Sequence, residues 1–128
     1  MPEIIYVLTN ESMPGYIKIG STTDLERRIK ELDNTSVALP FECFYACTVK
    51  DMNFVEKQLH EAFSDHRVRA NREFFELSPI RVVAALKMVE LENVTPNMDI
   101  VESKDDQLAL DKARRRRPNF DFNSLNIP

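Results

Sequence analysis

The chain of 128 residues contains only two glycines, Gly15 and Gly20. A glycine-rich phosphate loop or a dinucleotide fingerprint needs more, so P-loop and Rossmann readings are excluded. Cysteine is as scarce. Cys43 and Cys47 make no disulfide framework, and both read as buried thiols on one face of a strand. CxxC and HExxH are absent, which leaves a structural zinc site unsupported. No apolar run approaches the ~18 residues of a membrane span. Met1-Pro2-Glu3 has neither the basic flank nor the apolar stretch of a secretory signal. The expectation is a cytoplasmic, intracellular protein, nucleoid-associated if bacterial, with no membrane partner. Positive charge is also in deficit. Lys and Arg number 17 against 21 Asp and Glu, for a net charge of −4, which argues against coating nucleic acid through bulk electrostatics.

Hydrophobic residues make up 43% of the chain, enough for a real core. The reading is one domain over residues 1–92, an acidic linker over 93–106, and a basic tail over 107–128 that looks like the opening of a further domain. Ile4–Leu8 is apolar on both faces, so it reads as a central strand covered on both sides. A turn through Asn10–Gly15 leads to a second strand, Tyr16–Gly20. A helix opens at Thr23 or Asp24, with Leu25, Ile29 and Leu32 as its apolar stripe. At about 100° per residue, Arg28 lies beside that stripe and Arg27 points well away from it. Phe41–Val49 reads as a third strand. A second helix runs from about Asn53 to Asp65, with Val55, Leu59, Ala62 and Phe63 buried. Ser78-Pro79 starts a third helix, whose stripe is Val82, Ala85, Leu86 and Val89. The fold expected is α+β, with a small three-stranded, mainly antiparallel sheet flanked by helices.

Several residues stand out chemically, each beside a plainer reading. Tyr6 interrupts an apolar strand, where a packed tyrosine with its hydroxyl at the rim is ordinary. Lys18 shares a strand face with Tyr16 and Gly20, where a snorkelling lysine is ordinary. Gly20 is either simple turn chemistry or a place for a phosphate to approach the backbone. Glu56 and His60 are four apart, either a metal ligand with a proton carrier or a solvated pair. Basic residues cluster at Arg67, Arg69 and Arg72, and again at Arg114, Arg115, Arg116 and Arg117.

The order of these parts is more informative than any one of them. Ile4-Ile5-Tyr6, then Pro14-Gly15-Tyr16-Ile17-Lys18-Ile19-Gly20, then a helix carrying Arg28, then Glu56-Lys57-Gln58-Leu59-His60, then Arg67…Arg72-Glu73-Phe74-Phe75 resembles the GIY-YIG nuclease superfamily. The K-I-G form is similar to its phage-encoded branch. The resemblance covers about Ile4 to Leu77. It implies hydrolysis of DNA phosphodiesters with a single Mg2+ or Mn2+ ion. It also implies Tyr6 as general base or relay, Arg28 as stabiliser of the transition state, Glu56 as metal ligand with Glu73 as the alternative, and His60 as a branch-typical histidine.

Residue chemistry suits these roles. A guanidinium engages two non-bridging oxygens at once, and magnesium needs few carboxylates because it keeps several waters. A tyrosine of pKa ~10 needs help to act as a base, which Lys18 or the metal is expected to give. Two departures stand out. Ile4 replaces the first glycine of GIY, and Lys18 replaces the tyrosine of YIG, whose role falls to Lys18 or Tyr16. Asn71 is placed only by proximity. Two other readings are a catalytically weak DNA-binding module and a protein-interaction domain whose tail docks an acidic partner. Restriction, phage defence, mobile-element function and repair are all compatible contexts, and oligomeric state is open.

Overall fold

Ile4–Thr9 (β1) and Tyr16–Thr22 (β2) form an antiparallel hairpin in which Tyr6 lies opposite Gly20. The computed structural model describes residues 1–33, 38–68 and 73–96. The hairpin turn is set by side-chain chemistry. Asn10 Oδ1 accepts from the Ser12 amide at 2.9 Å, its amide nitrogen donates to the Leu39 carbonyl, and Gly15 takes φ +90°. That φ is open to glycine at no steric cost.

Leu25–Leu32 (α1) follows, capped by Asp24, whose carboxylate accepts from the Arg27 amide at 3.2 Å. Glu42–Thr48 (β3) then pairs with the other edge of β1. Met52–Ala62 (α2) starts at an Asp51 cap and runs into a 3-10 turn, Ser64–His66. Phe74–Glu76 (β4) pairs with β2, Pro79–Leu86 (α3) covers the sheet, and Glu92–Asn93 (β5) pairs with β3. The sheet is antiparallel throughout, in the order β4-β2-β1-β3-β5. The α+β class is as expected, with two short edge strands added to the three read from sequence. Among the described residues no helix is long and apolar enough to cross a membrane.

β1 is central and buried along its whole length. Ile5 and Val7 face α2 and α3, packing with Ile17, Ile19, Leu59, Val82 and Leu86. Ile4, Tyr6 and Leu8 face α1, packing with Leu25, Ile29 and Phe41. Each such side chain contributes about 1.5–3 kcal/mol on burial.

Several local expectations are corrected. β3 carries a bulge, because Val7 pairs with Tyr45 but Leu8 pairs with Cys43. The extra residue, Phe44, resets the alternation. Cys47 therefore joins the α2/α3 face and Cys43 the α1 face, not one shared face. Ala62 is exposed, and Met52 packs against the core instead. Val89 is 46% exposed because α3 ends at Leu86. Ser78 stands at the cap position of α3, yet its hydroxyl makes no capping bond. Composition placed a linker from Asn93. The chain instead stays on the sheet there: the Val94 amide donates to the Ala46 carbonyl at 2.9 Å, and Thr95 Oγ1 accepts from the Ala46 amide at 2.8 Å.

Candidate functional site

β4 decides where chemistry can gather. Its last rung on β2 is the Ile19 amide donating to the Glu73 carbonyl at 3.0 Å. Beyond it, Gly20 and Ser21 have no strand on that edge among the described residues. Side chains from both faces of the sheet meet around this bare edge.

From the α1 face comes Tyr6, 1% exposed. A Cβ on Gly20 would lie 2.3 Å from the Tyr6 hydroxyl oxygen and 2.8 Å from Glu73 Oε2. Gly20 is thus the seat of the phenol: of the two readings open for it, turn chemistry or a phosphate's approach, neither describes a space filled by the protein's own side chains. Arg28 Nε donates to the Tyr6 oxygen at 3.3 Å, and Nη1 is 3.6 Å from Glu31. Arg27, 68% exposed, pairs with Asp24 and Glu31 on the outside of α1. Helical geometry had separated these two arginines in the same way.

Lys18 is buried on this face, which is unusual for its type. Its Nζ lies 3.0 Å from Glu73 Oε2 and 5.0 Å from the Phe74 ring centroid. Glu73, the alternative metal ligand, therefore pairs with a lysine. Its Oε2 is buried and, despite the short ion pair, receives no hydrogen bond of good geometry. Tyr16 lies opposite Glu76, four residues along β2 from Gly20. At strand rise that is about 13 Å away, so Lys18, not Tyr16, is the neighbour of the cluster.

From the other face comes α2. Glu56 accepts a hydrogen bond from the Ser21 hydroxyl, and its Oε2 is 3.7 Å from His60 Nε2. His60 Nε2 is also 3.0 Å from the Ile19 carbonyl. A carbonyl only accepts, so Nε2 carries the hydrogen. The imidazole ties α2 to β2 and packs against Phe75 with ring centroids 5.2 Å apart and the planes tilted by 52°. Sequence reasoning missed Ser21. The signal was there: Ser21 shares strand parity with Ile19, the face on which α2 packs.

A groove of about 380 Å³ runs along α2 from Glu56 and His60 past Asn53 and Lys57 to Ser64 and Arg67. The Arg67 guanidinium lies 5.8 Å from the Phe75 ring centroid. Arg69, Asn71, Arg72 and Arg114 to Arg117 lie outside the described residues.

Charge and burial perturb the cluster. The Tyr6 hydroxyl is held above its ordinary pKa, first by burial and further by the Glu73 charge, against the opposing hydrogen bond from Arg28. The expected lowering by Lys18 does not occur, because that ammonium is engaged by Glu73. Glu56 is also raised, by burial first and then by the neighbouring Glu73 carboxylate, with the Ser21 hydroxyl opposing. Arg28 is raised by its bond to Tyr6. Burial pushes the Cys43 thiol up to about 12 and Cys47 to about 11, so neither is a nucleophile. Among the described residues no three Cys, His, Asp or Glu side chains converge to hold a metal ion.

A family model for the T5orf172 domain matches residues 3–90. Neither the curated proteins nor the solved structures yielded a match.

Proposed function

The chain belongs to the T5orf172 domain family, a phage-associated, nuclease-related type, and from that premise we propose that it is a divalent-metal-dependent DNA endonuclease of GIY-YIG type. The observation that carries this reading is the Tyr6–Arg28 hydrogen bond at 3.3 Å, set at the one stretch of sheet edge that Glu56 reaches from the opposite face. Tyr6 and Glu56, fifty residues apart in sequence, meet β2 at Gly20 and Ser21, and Arg28 joins them through Tyr6.

The donor set fits a hard cation. Glu56 supplies carboxylate oxygen, and the nearby Glu73 Oε2 is a buried oxygen short of hydrogen bonds. No thiol or three-sided protein cage is present among the described residues, and magnesium needs none because it retains waters. Glu56 holds the ion in this proposal. When bound, a divalent ion polarises a phosphoryl oxygen and steadies the leaving oxygen.

The chain's own residues do the rest. With its pKa raised, the Tyr6 hydroxyl stays protonated near neutral pH. It is a weak base but a capable relay, taking a proton from the attacking water as its own hydrogen passes to the Glu73 carboxylate across Gly20. Arg28 is anchored to Tyr6 through Nε while its side chain stays 36% exposed, so its terminal nitrogens can meet the phosphorane-like charge. Its raised pKa keeps it cationic throughout. His60, tied to Ile19, positions Glu56 one helical turn away. Lys57 and Arg67 line the groove that extends from the site and suit the flanking phosphates.

Incubation with supercoiled plasmid tests this. Nicking with Mg2+ or Mn2+, none with EDTA, and none from Arg28→Ala are the expected results. Binding without any cleavage by the wild-type chain would replace the proposal with a DNA-binding module.

A further inference from the structure

Lys18 is the most unusual charge in the fold. Its side chain is 9% exposed on β2, between Leu8 of β1 and Phe74 of β4, and its Nζ is 3.0 Å from Glu73 Oε2. A buried ammonium is costly unless paired, and here the pairing is incomplete, since that oxygen receives no well-formed hydrogen bond. Glu73 itself is placed firmly. Its carbonyl accepts from Ile19, its Oε2 abuts Gly20, and Phe75 two residues on is fully buried. Glu56 is fixed to Ser21, the next residue along the same strand. Residues 19 to 21 of β2 thus carry two carboxylates side by side, and one internal cation offsets one of them.

We propose that Glu73 is a second ligand for the divalent ion held by Glu56, and that the Lys18 ammonium is a placeholder cation that the ion displaces from Glu73. This deepens the nuclease reading and rests on it for the presence of a metal. The physical logic is charge balance. Two adjacent, partly buried carboxylates repel, so in the ion's absence the fold favours a positive charge beside them. Lys18 supplies one, on a flexible stem able to retract along Phe74. The ion then binds against an internal competitor, and its affinity is weaker than two carboxylates alone would give.

The test is Mn2+ binding to the full chain without DNA, by calorimetry or by loss of the free-ion paramagnetic signal. Plasmid cleavage is followed in parallel and folding is checked by circular dichroism. Glu73→Gln should weaken Mn2+ binding at least tenfold, as should Glu56→Gln. Lys18→Met, which keeps the apolar stem, should tighten it about tenfold, the scale of one nearby opposite charge. In a Glu73→Gln background the Lys18→Met effect should vanish. If Glu73→Gln binds Mn2+ as the wild type does, or if Lys18→Met binds no tighter, the placeholder idea is overturned. Should Lys18→Met fail to fold, Glu73→Gln still decides the second ligand, and Lys18→Gln the placeholder. Cleavage that needs Glu56 but not Glu73 leaves the nuclease intact without this device. Mn2+ binding in the expected pattern with no cleavage does the reverse.

Discussion

The Tyr6 hydroxyl occupies the space that a side chain on Gly20 would fill, 2.3 Å from where its Cβ would begin. The phenol ring carbon that bears it is 2.5 Å from the same point. Tyr6 sits on the central strand and Gly20 is paired to it across the hairpin, so neither backbone can yield easily.

Gly20→Ala should therefore displace the Tyr6 ring from Arg28. Overpacking of this kind costs about 1–3 kcal/mol. Cleavage should fall at least 100-fold while the sheet persists. Thermal melts and plasmid nicking check the two halves separately. Full activity in Gly20→Ala would mean that the Tyr6 position is irrelevant to the reaction.

The two arginines of α1 should differ sharply. Arg27 is exposed and makes only surface pairs, each worth little. Arg27→Ala should leave nicking within about twofold and stability within about 0.5 kcal/mol. Arg28→Lys keeps a charge but loses the fork and the bond to Tyr6, so its rate should drop by at least 10-fold. A rate assay on the two variants side by side is sufficient.

Neither thiol should react readily. With Cys43 at about 12 and Cys47 at about 11, the thiolate fraction at pH 8 is roughly 1000-fold and 100-fold below that of an unperturbed cysteine. Disulfide-reagent labelling should follow global unfolding. Both groups also bind their protons more tightly folded than unfolded. Their contribution is complete below the ordinary value of 9.0 and is lost as pH rises through 9 toward 11 and 12. Stability should decline over that window, and less steeply in Cys43→Ala/Cys47→Ala. Rapid labelling of native protein at pH 8 contradicts this.

The arginines at 114 to 117 carry a prediction from sequence alone. If each meets one phosphate of duplex DNA, truncation after Asp106 should flatten the log–log salt slope of binding by about 3.6. Sequence preference should stay as it was, because phosphate contacts position and do not specify. Titrations at several salt concentrations measure it, and an unchanged slope would assign the arginines to solvent or to another protein.

Much of the fold was legible because it rests on periodicity. Ile4–Leu8, apolar on both faces, could only be an interior strand. The α1 stripe by itself separates Arg28 from Arg27. The bulge at Phe44 was not legible, since it carries no glycine and only the pairing of β3 against β1 reveals it. β4 and β5, three and two residues long, are too short for any period to register. The Lys18–Glu73 pair joins residues that only the β2–β4 edge brings together, and no local pattern encodes such a contact. The role of Gly20 stayed open for a similar reason: what fills the space above a glycine depends on the strand opposite it.

The brevity of β4 has a consequence for the kind of polymer this site suits. The groups proposed for catalysis are collected at a sheet edge that, among the described residues, has no strand across it and so no end wall. A strand of nucleic acid can lie across it with chain continuing in both directions, so no free terminus is required for a phosphodiester to reach Arg28. Lengthening β4 by two residues would build that wall, covering Gly20 and Ser21 and parting Glu56 from Tyr6. For the proposed nuclease, the stopping point of one edge strand would set the difference between cutting within a polymer and cutting only at its tip.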